Sequence, residues 1–194
     1  MEAAAVGERG RRELMAQVKP FEPVVFFCAL LAHRDYPLEP AEAALAERFG
    51  AIDLRSATMH FTSTDYYTAE MGEGLVRRFV SFLRLTDPQE LAGAKQFTNG
   101  LEARLAGEAG RPRRVNIDPG YLNFAQMVLA SAKPFAHRIP LGGGIHAQLE
   151  YLFRRGEACF MEWTFPEYRR REVAEFFLGL RERYRELLKA AASG

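Results

Sequence analysis

Val24 to Ala32 is apolar without a break, β-branched and aromatic at its start, which is the pattern of a strand buried on both faces and central in a sheet. Pro40 then offers a first-turn proline, Ala44, Leu45, Arg48 and Phe49 follow at helical spacing, and Gly50 supplies a stop. Ile52 to Thr62 alternates loosely, and Phe79, Ser81, Leu83 and Leu85 recur at period two within Leu75 to Leu85, so both stretches are expected as strands. Asp87-Pro88-Gln89-Glu90 opens a helix: Asp caps free amides, Pro fits the first turn, and Glu reaches back to the cap. That helix is expected from Pro88 to about Ala106, and Arg113 to Asp118 reads as a short strand that a Pro119-Gly120 turn ends.

The resulting order, βαββαβ, is the split βαβ or ferredoxin-like arrangement, an α+β fold with two helices over one face of a mostly antiparallel sheet. Beyond it, Leu122 to Ala132 fits either helix or strand, with Leu122, Ala125, Leu129 and Ala132 slightly favouring helical spacing. His137 to Leu141, Ile145 to Phe153 and Ala158 to Trp163 are expected as strands, the last two joined as a hairpin at Arg154 to Glu157. Val173, Phe176, Phe177, Leu180, Tyr184, Leu187 and Leu188 form one apolar stripe, the mark of a long amphipathic C-terminal helix that docks on the sheet. The start of the chain offers no apolar face, so residues 1–19 are expected as a flexible tail and residues 20–194 as a single domain.

Of 194 residues, 48% are apolar and 26% charged, which excludes a disordered chain. With 26 basic and 25 acidic side chains the formal charge is +1, which provides no global attraction toward nucleic acid or an acidic membrane. Any anion site must be local. Cys28 and Cys159 sit in apolar runs without CxxC spacing and read as buried free thiols. The longest apolar run, Val24 to Ala32, is about half of a membrane span, and with no secretory signal pattern a cytoplasmic address without membrane contact is the expectation.

The motifs that would name a reaction outright are missing: GxxxxGK[ST], GxGxxG after a strand, HExxH and GxSxG do not occur. Gly142-Gly143-Gly144 could present amides to a phosphate, but three glycines between strand-like runs are what a tight hairpin needs. His60-Phe61-Thr62 matches one half of a two-histidine phosphoesterase pattern, and the second half is absent.

Three polar clusters stand in or beside buried elements, where uncompensated charge is costly. They are Thr64-Asp65-Tyr66-Tyr67 with Glu70, then Lys95, Thr98 and Asn99 on adjacent turns of one helix, then Asn116 and Asp118 leading to Ser131, Lys133, His137 and Arg138. Singly, each has a structural explanation: Asp118 caps a turn, Lys95 pairs with a surface carboxylate, and the tyrosines pack on the core. Jointly they point to a polar cleft for a small phosphorylated or nucleotide-like anion. Lys95, Lys133 and Arg138 would supply positive charge, and Thr98, Asn99 and Asn116 neutral donors. Asp65, Glu70, Asp118 and His137 would move protons or hold a metal, with Mg²⁺ the candidate ion. The residues leave open whether catalysis follows binding. One alternative is a non-catalytic protein-interaction module, which needs an exposed apolar patch and dispersed polar clusters. RNA binding on the sheet face is a second, against which the near-zero charge and missing aromatic RNP1-type run both argue.

Five blocks carry a family resemblance: TDYYTAEMGEGLVRRFVSF (Thr64 to Phe82), DPQELAGAKQFTNGLE (Asp87 to Glu102), RVNIDPGYL (Arg114 to Leu122), VLASAKPFAHRIPLGGGI (Val128 to Ile145) and WTFPEYR (Trp163 to Arg169). In this order they resemble the bacterial family called domain of unknown function 4416, over nearly the whole chain from about Pro20. The resemblance implies no reaction and no cofactor. It marks as motif positions Asp65, Tyr66, Tyr67, Glu70, Lys95, Thr98, Asn99, Asn116, Asp118, Tyr121, Lys133, His137, Arg138 and Trp163.

Overall fold

A computed structural model describes residues 17–64, 66–106 and 113–193, so most of the expected tail and Asp65 lie outside the described residues. Strand β1 (Val24–His33) is followed by helix α1 (Glu39–Phe49), β2 (Ile52–Arg55), β3 (Met59–His60) and the short α2 (Thr68–Met71). Then come β4 (Leu75–Thr86), a 3-10 turn at Pro88–Glu90, α3 (Leu91–Ala106) and β5 (Val115–Leu122). Strands β6 (Gln126–Ser131), β7 (Ile139–Gly142), β8 (Ile145–Arg154) and β9 (Glu157–Phe160) lead through a second 3-10 turn, Pro166–Arg169, to α4 (Arg171–Ser193).

The strands form one sheet in the order β2-β4-β1-β5-β6-β8-β7, with β3 beside β4 and β9 beside β8. All pairings are antiparallel. The run β2-β4-β1-β5 is the split βαβ order that the sequence predicts. Strand β1, central as expected, sorts its side chains by parity. Val24, Phe26, Cys28 and Leu30 pack with Leu45 and Phe49 of α1 and with Leu91 and Ala94 of α3. Val25, Phe27 and Ala29 pack instead with Phe177, Leu180 and Tyr184 of α4. The result is three layers, with the C-terminal helix on the face opposite the other two. Among the described residues no helix is long and apolar enough to cross a membrane.

Four local expectations change. Ile52 to Thr62 is interrupted at Ser56, whose amide donates to Phe79 O and whose hydroxyl accepts from Phe79 N, so that β2 and β3 form separately along β4. Leu122 to Ala132 yields a strand rather than a helix, because Val128 and Ala130 are buried on one face while Met127 and Leu129 are buried on the other, which hides a period of two. The third of the late strands ends at Phe160, since Met161 N donates to Thr164 Oγ1 and Trp163 Nε1 to Leu149 O. Finally, Pro119-Gly120 does not end β5: Pro119 stands opposite Cys28 and Gly120 opposite Phe27 within the ladder. The triglycine is a hairpin turn, with Gly143 and Gly144 at φ 58° and 76° between the paired Gly142 and Ile145.

Gly120 is required by close approach. A Cβ there would lie 2.5 Å from Val128 O and against the Phe27 ring, both fixed in the middle of the sheet. Gly120→Ala is therefore expected to destabilise the fold by about 2–3 kcal/mol in urea unfolding. An unchanged midpoint would contradict this packing.

Candidate functional site

Strands β5 and β6 pair only over Gly120 to Leu122. Beyond that, β5 remains paired to β1 as far as Val115, and β6 remains paired to β8 as far as Ser131. The sheet therefore forks, and Pro119 stands at the point of divergence. A cleft of about 610 Å³ occupies the fork. Its floor includes Arg77 of β4, Asn116 and Asp118 of β5, Leu129 and Ser131 of β6, and Gln148 of β8. Register places these together: Arg77 and Asn116 both oppose Leu31, Asp118 opposes Ala29, and Leu129 opposes Gln148. Walls come from the segment containing Phe61, Tyr66 and Tyr67, from the β6–β7 loop with Lys133, Phe135 and Arg138, and from Phe165 to Tyr168. Lys95 and Asn99 of α3 also line it.

Lys95, only 5% exposed, anchors the deep end. Its Nζ donates to Ile117 O and to Asp118 Oδ1, each at 2.9 Å, and lies 3.8 Å from Glu102 Oε1. Asn116 Nδ2 donates to the other oxygen of Asp118 at 2.6 Å. Arg113 closes this end by donating to Glu102 Oε2, Asn116 Oδ1 and Glu70 Oε2 at 3.2, 2.8 and 2.7 Å. Burial works to raise the Asp118 carboxyl, yet Lys95, Arg77 and the hydrogen bonds from Lys95 and Asn116 outweigh it and hold the group below the ordinary carboxylate range. For Glu102 burial prevails over the same ammonium and the Ile117 amide, and its carboxyl is raised.

On the side nearer α4, Arg77 is 4% exposed and donates through Nε to Glu167 Oε1 at 2.9 Å. Its guanidinium also lies 5.2 Å from the Phe61 ring centroid. Its Nη1 is buried without a hydrogen-bond partner among the described residues. At the rim, Lys133 Nζ donates to Tyr66 OH at 2.6 Å. Arg138 donates to Gln148 Oε1, Ser131 Oγ and Lys133 O at 2.6, 2.8 and 2.7 Å. Tyr67 lines the cleft with a phenol that burial pushes up to about 12, so it remains a hydroxyl donor at neutral pH. Among the described lining residues, Arg77, Lys95, Arg113, Lys133 and Arg138 are cationic, against the carboxylates Asp118 and Glu167 alone. For a chain of formal charge +1, that is a local concentration of positive charge.

Of the residues the sequence singled out, Lys95, Asn99, Asn116, Asp118, Lys133 and Arg138 meet on this cleft. Thr98 is fully buried and turns its hydroxyl to Lys95 O. Glu70 stands outside, paired with Arg113. His137 lines a separate apolar groove floored by Tyr121, Val128 and Leu149, stacked 4.9 Å from Trp163 with the rings 7° apart, and meets the cleft only through Nε2, 3.2 Å from Gln148 Oε1. Arg77, Arg113, Gln148 and Glu167 were not anticipated. Arg77 alone left a signal, since it shares the inward parity of Phe79 on β4.

The comparisons agree with the resemblance without adding a reaction. The family model described as Domain of unknown function (DUF4416) matches residues 22–184. Neither a search of curated proteins nor a search of solved structures returned a match.

Proposed function

Because the chain belongs to the DUF4416 family, whose description names no reaction, we propose from the cleft itself that the protein binds a small phosphorylated anion there. The observation that carries this reading is Arg77 Nη1, a buried guanidinium donor in the cleft without a partner among the described residues. A buried charged donor left unmatched is costly, and an oxyanion supplies the match through a charge-assisted hydrogen bond. Arg138 and Lys133, which form no ion pair with a carboxylate among the described residues, add charge at the rim, and the Tyr67 hydroxyl adds a neutral donor. Lys95 and Asp118 serve this reading as the charge-balanced floor. Asp118 is engaged at both oxygens and Glu167 at one, and no group of three or more potential metal ligands occurs among the described residues. In this reading Mg²⁺ would accompany the ligand's own oxygens rather than a protein ligand set.

A thermal-shift series with inorganic phosphate, pyrophosphate, sugar phosphates and nucleotides, each with and without Mg²⁺, tests it. At least one compound is expected to stabilise the protein, by about 2.7 kcal/mol at a hundredfold excess over its dissociation constant. Lys133→Ala and Arg138→Ala should each remove that shift while leaving the unliganded melting temperature within a few degrees. A series without any shift, or one that both variants preserve, would refute the reading.

A further inference from the structure

Behind the cleft lies a carboxyl that the anion site does not touch. Glu150 is fully buried at a slip in the β6–β8 register, where Val128 opposes Leu149 but Met127 opposes Tyr151. It is therefore the extra residue of a β-bulge, a feature that re-aims one side chain out of the strand's alternation. The bulge turns Glu150 toward Gln148 and the chain entering the second 3-10 turn. Gln148 Nε2 donates to Oε1, and Phe165 N donates to Oε2 at 3.2 Å.

Gln148 also faces the cleft. Its Oε1 accepts from Arg138 Nε at 2.6 Å, so one amide side chain bridges the buried carboxyl and a rim cation of the anion site. Hydrogen-bonded chains of this kind transmit charge because each member polarises the next in a low-dielectric setting. We infer that Glu150 is a charge gate on the anion site: neutral, it leaves the Arg138 charge available to a ligand, and ionised, it draws on that charge through Gln148 and weakens binding. The inference rests on the anion-binding reading and adds its regulation.

The charged and titratable groups around Glu150 fit the role. Arg138 from the β6–β7 loop and Arg169 from the 3-10 turn favour its ionised form, as do the donors Phe165 N and Gln148, but burial outweighs them and pushes the carboxyl up to about 8. The phenols of Tyr151 and Tyr168 feel its charge, and burial holds both above their ordinary value. His137 Nε2, from the β6–β7 loop, lies 3.2 Å from the same Gln148 oxygen.

Sulfate suits as a probe because its charge is constant from neutral to alkaline pH, unlike that of phosphate. On the full chain, calorimetric titration should show the sulfate dissociation constant rising about tenfold between about pH 7.5 and about pH 9.5. Glu150→Gln should hold the constant flat near its lower-pH value. By reciprocity, ¹³C-carboxyl NMR of the unmodified protein should show the Glu150 midpoint moving up by about one pH unit when sulfate saturates the site. A flat wild-type profile, an equal fall in Glu150→Gln, or a midpoint indifferent to sulfate would overturn the gate alone. Sulfate that binds at no pH would overturn the anion-binding reading, and the gate with it. Should Glu150→Gln not fold, the NMR titration decides by itself.

Discussion

Lys95→Met is expected to lower stability at neutral pH by about 3–5 kcal/mol, read as an early denaturant midpoint, because it removes one ammonium from two carboxylates at once. Methionine keeps the stem, so the loss isolates the charge. The Lys95 Nζ contacts to Ile117 O, Asp118 and Glu102 all vanish, leaving a carbonyl unpaired and two acids without their shared cation. The pH dependence has a definite sign. The folded-state carboxyl of Asp118 lies below its ordinary value, so the stability it contributes is present above the unfolded value and disappears as pH falls through the folded one. Wild type and variant should therefore converge in acid. A loss below about 1 kcal/mol at neutral pH would mean that the pair behaves as an exposed surface bridge.

Glu150→Gln is expected to act in the opposite direction at alkaline pH. Here the folded-state value is raised, from an ordinary 4.5 to about 8, so the associated stability is complete below the unfolded value and is lost as pH climbs through about 8. That displacement corresponds to about 5 kcal/mol, and a neutral amide does not incur it. Unfolding in urea at about pH 9 should find Glu150→Gln more stable than wild type by roughly 3–5 kcal/mol, with the two nearly equal below about pH 5. Parallel pH profiles for the two proteins would show that Glu150 is ionised at neutral pH in the fold.

Both variants concern groups that the chain reveals unequally. The elements whose pattern is carried by many residues are the ones the sequence predicts well: the unbroken run of β1, the Asp87 cap whose side chain accepts from Gln89 N, and the apolar stripe of α4. Lys95 could be picked out by its helical spacing from Asn99, since both reach the cleft, but the same spacing also selected Thr98, which points into the core. Helical periodicity assigns a face only within a turn or so, and the fork lies at the edge of that face. The fork itself depends on where β6 leaves β5, a pairing between distant residues for which Pro119-Gly120 is a local and misleading sign. Glu150 was illegible for a similar reason, because a one-residue register slip exchanges inward and outward positions along a strand without altering its composition. Glu167 reaches Arg77 across 90 residues of sequence, so no spacing rule connects them.

The most direct test of the proposed anion site observes the Arg77 guanidinium itself. In a ¹⁵N–¹H NMR titration of arginine side chains with sulfate, Arg77 and Arg138 are expected to shift together along one saturable curve. The exposed Arg171, paired with Glu175 on α4, should remain still and serves as a control for ionic strength. Saturable shifts confined to the cleft would support the assignment of the buried Nη1 to an oxyanion. Shifts spread over surface arginines while Arg77 does not respond would contradict it.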